Sequence, residues 1–192
     1  GSTSTAGAGS AAGTGAGDPI RRQCIPDPRE GLRTAAELDD PLGEACHRRG
    51  PRFVHQYRDR ILLLAVGTCA GYCRHCFRRV WTGEAHGFIG SEELDAVAAY
   101  LQQHPEVREV LISGGDPLMA SDERLERLFA ALRAARPGIL LRLGSRIPIV
   151  HPARLGTPLA ALLREYRPLR LVVHVNHPRE LAPEARAALG AV

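Results

Sequence analysis

The sequence predicts an α/β fold in which parallel strands alternate with helices, and three observations predict it. Four short apolar runs, at 61–66, 110–112, 139–143 and 171–175, read as strands buried on both faces. Helical patterns with start signals lie between and after them. A polar cluster follows each run: the cysteine loop from Cys69, then SGGDPL, then GSRIP, then His174 to His177. Strict β/α alternation implies parallel strands joined by right-handed crossovers. A doubly wound sheet and part of a β/α barrel both satisfy the pattern, and both carry their functional edge at the C-terminal ends of the strands.

Taken in order, residues 1–17 are uncharged Gly/Ser/Thr/Ala repeats that cannot offset their ordering entropy, so a disordered linker is expected there. They lack the charged and apolar regions of a signal peptide and do not argue for export. Residues 18–60 are rich in proline and acidic groups and read as an extended N-terminal arm, with FVHQYRDR at 53–60 as a solvated lead-in loop. The β/α core runs from 61 to 192. Ser91, with Glu92 and Glu93 behind it, caps a helix whose inward stripe is Leu94, Val97, Ala98 and Leu101. Ser121 repeats the device for Leu125, Leu128, Phe129 and Leu132. Thr157-Pro158 starts a third helix carrying Leu159, Leu162, Leu163 and Tyr166, and a weaker fourth spans 183–189.

Composition excludes some functions. The net charge is +4, but the arginines are scattered, which fits a solvated surface better than a nucleic-acid face. No segment is long and apolar enough to span a membrane. All 25 basic residues are arginine, so no side chain here can form an imine with pyridoxal phosphate or a carbonyl substrate. Three of the five cysteines sit within eight residues, which fits metal-binding thiolates in a reducing, cytoplasmic compartment better than a disulfide framework. Cys24 and Cys46 are expected to be small buried or half-buried residues.

The chemistry concentrates in Cys69-Ala-Gly-Tyr-Cys73-Arg-His-Cys76. Three thiolates on one loop suit an iron–sulfur cluster that leaves one iron without a protein ligand. Structural zinc sites usually take two ligand pairs set further apart. An open iron can bind the amine and carboxylate of S-adenosylmethionine and pass an electron to its sulfonium, which releases an adenosyl radical. His75 could lie near the adenine. The glycines of Ser113-Gly114-Gly115-Asp116 permit close backbone approach, and exposed carbonyls with Asp116 could accept from an ammonium group. Arg78 and Arg79 offer forks for a carboxylate or phosphate. Ser145, Arg146, His174, Asn176 and His177 are further candidates on this edge. A non-catalytic iron–sulfur or zinc module is the competing reading, and SGGDPL favours the enzyme because a closed metal site does not need it.

GTCAGYCRHCFRR, LISGGDPLMASDE, GSRIPIV and HVNHP, in this order, resemble the radical S-adenosylmethionine aminomutases of the lysine 2,3-aminomutase family, including relatives that isomerise a lysine destined for elongation factor P. DPIRRQCIP and ELDDPLGE resemble that family's lead-in. The resemblance implies a partial β/α barrel, with four of about six units present and an extended arm before it. It implies that Cys69, Cys73 and Cys76 ligate a [4Fe-4S] cluster and that Gly114, Gly115, Asp116, His75 and His174 meet S-adenosylmethionine. Arg78 matches the catalytic-site arginine that grips the substrate carboxylate, and Tyr57 and Arg60 match part of a pyridoxal phosphate site. The implied reaction is amino migration from the α to the β carbon of an amino acid, with lysine, free or protein-bound, the favoured substrate. A radical enzyme of the same type without pyridoxal phosphate is the alternative. A reducing electron donor and a homo-oligomeric complete protein are also implied. Gln56 stands where relatives often carry a further arginine, and the family's pyridoxal lysine lies beyond residue 192, so a C-terminally truncated core is expected.

Overall fold

The computed structural model describes residues 15, 17–82 and 86–192. The low-complexity linker expected at 1–17 therefore lies almost wholly outside the described residues. From residue 18 the chain runs through a one-turn helix α1 (Arg21–Cys24) and two short 3-10 turns before it joins the sheet. That sheet has six strands in sequence order: β1 (Arg48–Gly50), β2 (Phe53–Tyr57), β3 (Arg60–Val66), β4 (Glu109–Gly114), β5 (Leu140–Ser145) and β6 (Leu169–Val173). The first two are antiparallel additions, and β3 to β6 are parallel. Among the described residues the sheet does not close. It is a partial β/α barrel, as the resemblance implies.

The stretch expected to be a solvated lead-in is instead a hairpin. Phe53 and Val54 are buried, Tyr57 pairs with Arg60 across the turn, and residues 56–59 face solvent. Its entry is tight. A side chain at Gly50 would place its Cβ 2.5 Å from the Phe53 ring. Arg52 fixes the hairpin to the next unit by donating to Glu93 Oε1 at 2.8 Å and to the Gly87 carbonyl at 3.1 Å.

Helices α2 (Ser91–Gln103), α3 (Asp122–Ala135), α5 (Thr157–Glu165) and α6 (Pro183–Gly190) follow the sequence pattern, with a single turn, α4 (Ile147–Val150), after β5. The cap of α2 is Gly90 rather than Ser91, because Glu93 reaches back to accept the Gly90 N–H. Ser121 caps α3 as expected, accepting from the Arg124 N–H. The α3 stripe Leu125, Leu128, Phe129 and Leu132 is fully buried. It packs with Ile61, Leu63, Val110, Ile112, Leu141 and Leu143 in one core on the helical side of the sheet. Each such side chain removed from water contributes about 1.5–3 kcal/mol.

Of the parallel strands, only the end of β3, Leu63 to Val66, is a run buried on both faces. Successive residues of a strand point to opposite sides, and in β5 Leu141 and Leu143 are buried while Leu140, Arg142 and Gly144 are only partly so. β6 is more open still, with Arg170 and Val172 exposed. The helices cover one face. The other is the concave side of the unclosed sheet, where Leu62, Leu111, Arg142 and Arg170 lie in register and Arg142 pairs with Glu109 at 2.8 Å.

Many of the scattered arginines prove to be internal ties. Arg133 donates to the carbonyls of Ile139, Tyr166 and Pro168, and Arg154 to those of Leu118 and Ala120. A planar fork suits loop carbonyls that no ladder satisfies.

Candidate active site

All four polar clusters gather at the C-terminal ends of β3 to β6 around a cavity of about 300 Å³. The loop after β3 contributes Cys69, Cys73 and Cys76 with His75, Phe77 and Arg78. The end of β4 brings Ser113, Gly114, Gly115 and Asp116. β5 brings Gly144, Ser145 and Arg146, and β6 adds Val172 and His174.

The glycines are required by how closely the β4 turn lies against the cysteine loop. Gly115 N donates to Val66 O at 2.6 Å, and Asp116 N donates to Thr68 O at 2.8 Å. A Cβ on Gly115 would fall 2.2 Å from Thr68 O, and one on Gly114 2.3 Å from Val66 O. Gly114 also holds φ at +111°, a region side chains rarely adopt. The two backbones are in contact, so the glycines shape the cavity wall as well as lining it.

Asp116 has a different task from the one its position suggested. Its Oδ1 accepts from Ser145 Oγ at 2.7 Å and from Leu118 N, and its Oδ2 accepts from Arg146 N at 2.7 Å and Ile147 N at 3.1 Å. Four donors occupy the acceptor sites of one carboxylate, so its side chain is a strut between β4 and β5 rather than a free partner for an ammonium group. Burial raises its pKa despite these donors, of which Ser145 is the strongest.

The three thiols are partly buried and free. Burial pushes the Cys69 thiol up to about 12, with Asp116, Cys76 and Cys73 adding to the shift. Such a thiol ionises only against a nearby positive charge such as a metal. Among the described residues no three His, Cys, Asp or Glu side chains converge on a single ion. Three soft thiols from one loop line one cavity, a donor set that suits an iron–sulfur group. Cys24 and Cys46 are exposed, not buried as expected, because both sit in turns of the arm; Cys46 Sγ donates to Gly43 O at 3.2 Å.

The histidines meet at the rim. The rings of His75 and His174 lie 5.9 Å apart edge to face, and His75 Nε2 is 3.2 Å from Asn176 Nδ2. Burial, with Arg146 and His174 nearby, lowers the pKa of His75 and favours the neutral ring. Arg78 reaches the cavity wall, but its fork is held by Glu44 of the arm at 2.6 and 2.8 Å, both side chains largely buried. Tyr57 and Arg60 do not join this group. They sit at the hairpin turn where β3 begins, roughly 20 Å from the cysteine end by the rise of a strand, and Arg60 is engaged by Asp59.

Three residues went unnoticed in the sequence. Gln23, Glu44 and Glu180 all bond to the site's arginines. For Gln23 and Glu44 the available signal was that acidic and amide groups recur inside the arm's otherwise aperiodic motifs; Glu180 lies in the turn after β6.

A family model described as the radical SAM superfamily matches residues 64–189, from within β3 to α6. The chain belongs to the radical SAM superfamily. This makes the [4Fe-4S] cluster and S-adenosylmethionine the group and cosubstrate expected at the cysteine-lined cavity. Within the superfamily the chain is similar to the L-lysine 2,3-aminomutase of Clostridium subterminale, 42% identical over 89% of this chain and 41% of that protein. The enzyme of the same name from Acetoanaerobium sticklandii is 40% identical over the same shares. That of Escherichia coli is 38% identical over 90% of this chain and 50% of its own length. The chain thus spans about two fifths to one half of the length of these relatives. No helix among the described residues is long and apolar enough to cross a membrane.

Proposed function

We propose that this chain carries the S-adenosylmethionine-cleaving site of an amino-acid 2,3-aminomutase, with lysine, free or protein-bound, as substrate. One observation carries the reading: Cys69, Cys73 and Cys76 share a single cavity with the Gly114-Gly115 turn and the His75–His174 pair. The likeness to L-lysine 2,3-aminomutases supports the substrate class.

In this reading the three thiolates hold the cluster and leave one iron free for the cosubstrate. When bound, the cluster supplies the electron that breaks a carbon–sulfur bond of S-adenosylmethionine, and an external reductant replenishes it. The chain's own groups position and shield. Backbone around Gly114 and Gly115 forms the wall against which the methionyl end lies, while His75 and His174 bracket the adenine side. Arg78 takes the substrate carboxylate, in exchange with or beside Glu44. Pyridoxal phosphate enters through the family resemblance. This chain has no lysine to hold it as an imine, and Tyr57 and Arg60 stand apart from the cavity, so no step is assigned to it.

The test is electron paramagnetic resonance on anaerobically reconstituted, reduced protein. A [4Fe-4S]⁺ signal that changes on adding S-adenosylmethionine, together with release of 5′-deoxyadenosine, is expected. Cys73→Ala should abolish both the signal and the release. An iron signal indifferent to S-adenosylmethionine would overturn the reading in favour of a closed metal module.

A further inference from the structure

The arm makes a contact with the site that neither the motifs nor the likeness to aminomutases accounts for. Gln23, in α1, points its single amide oxygen between two later strand ends. That oxygen accepts from Arg146 Nη2 at 3.0 Å, after β5, and from Asn176 Nδ2 at 2.8 Å, after β6. Its backbone carbonyl accepts from the Arg74 N–H at 2.8 Å, inside the cysteine loop itself. One arm residue thus touches three of the four segments that build the cavity.

Arg146 is the group being held. Its side chain is 11% exposed and its partner Glu180 only 3%. Nη2 is shared between Gln23 and Glu180 Oε1, the latter at 2.5 Å. These two acceptors on one nitrogen fix the plane of the guanidinium and aim its other end, so that Nη1 lies 2.7 Å from Cys73 Sγ as a donor. Glu180 is itself anchored by the N–H groups of Asn176 and His177. The neutral amide of Gln23 adds a second acceptor on Nη2 without cancelling the positive charge.

We propose that Gln23 is a positioning residue that sets the reduction potential of the iron–sulfur cluster, by holding Arg146 as a charged hydrogen-bond donor to the sulfur of Cys73. The inference rests on the reading that Cys73 ligates the cluster. Reducing a cluster adds negative charge that is partly carried by its thiolates, and a cationic N–H donor to one of them stabilises the reduced state. Loss of the donor, or of its aim, makes the cluster harder to reduce. A residue that merely docks the arm has no such electronic effect.

The experiment is an EPR-monitored redox titration of the reconstituted protein without S-adenosylmethionine, with iron and sulfide content measured on the same samples. Gln23→Met keeps the length of the side chain and removes the acceptor; it should hold the same iron per chain with a midpoint shifted to more negative potential. Arg146→Gln leaves the backbone bonds of the arm in place and removes the donor; it should shift the midpoint in the same direction and further. Full iron with an unchanged midpoint in Gln23→Met overturns the inference, whatever Arg146→Gln does, while leaving the cluster reading intact. Loss of iron from Gln23→Met but not from Arg146→Gln also overturns it, since the arm would then hold the loop rather than tune the cluster. An iron-free wild type overturns the cluster reading and the inference together.

Discussion

The helical side of the sheet and the rim of the cavity are held together by different physics. Behind the sheet, Leu63, Ile112, Leu128, Leu132 and Leu143 are fully buried and make no directional bonds. At the rim the same strands end in charged groups that are also largely buried: Asp116 with four donors, Arg78 with Glu44, and Arg146 with Glu180. The apolar side gains stability roughly in proportion to area removed from water. The rim gains little net stability from its pairs, since desolvation offsets most of their attraction, but it gains geometry. The core supplies the free energy, and the rim uses part of it to keep charges and thiols in fixed places.

This contrast predicts unequal responses to mutation. Leu143→Ala, in the centre of the parallel strands, should cost about 2–5 kcal/mol in chemical denaturation, because the cavity it leaves cannot collapse. A loss under 1 kcal/mol would mean that the core is far looser than its burial indicates. Gly115→Ala comes next. Its Cβ would meet the Thr68 carbonyl at 2.2 Å, and backbone on both sides cannot yield cheaply. A cost of about 1–3 kcal/mol is expected, with the displaced cysteine loop losing most of its capacity for iron. Full iron incorporation in this variant would show that the β4 turn and the loop are not in register as described.

Much of the apolar side was legible in the sequence, and most of the rim was not. The stripe of α3 and the Ser121 cap are local, so periodicity and one start signal were enough to find them. The hairpin strand β2 was missed because only Phe53 and Val54 are apolar before His55, Gln56 and Tyr57, too short a run to show alternation. The expectation that every strand is buried on both faces failed for β5 and β6, since an apolar run does not say whether a second layer covers it. The cysteines, the glycine turn and His174 were found from residue type and order. Their partners were not: Glu44 meets Arg78 across 34 positions and Gln23 meets Asn176 across 153. No local pattern encodes a pairing at that distance.

The pair of Arg78 and Glu44 gives a smaller and more specific test of the rim. Arg78→Ala leaves a carboxylate only 16% exposed without its partner, which should cost about 1–3 kcal/mol. Iron content should be unchanged, because Arg78 has no bond to a cysteine sulfur among the described residues. Replacing both members, Arg78→Met with Glu44→Leu, should recover most of that stability while substrate turnover stays impaired. Stability that falls further in the double variant would show that the pair itself, and not the stranded charge, matters to the fold.

The smallest effect concerns acid. The arm is held together and docked by carboxylates whose pKa values lie below the ordinary range: Asp18 through the Arg21 N–H and Arg179, Asp27 through Arg29 within the arm, and Glu30 through the Asp27 N–H and Arg74. A folded-state pKa below the unfolded value means that the stabilisation is complete above the unfolded value, about 4, and fades as pH falls through the folded one. Among the described residues the apolar core on the helical side holds no carboxylate, and Glu93 and Glu123, whose pKa values are also lowered, lie in the first turns of α2 and α3 outside it. Lowering the pH below about 4 should therefore release the arm before the sheet, seen as pepsin cleavage within residues 18–47 while circular dichroism still reports the helices. Glu30→Gln should move that cleavage to higher pH, since Arg74 then loses a charged partner. Cleavage that tracks loss of the helices at every pH would show that arm and core unfold as one unit, and the two regions would then differ in chemistry but not in cooperativity.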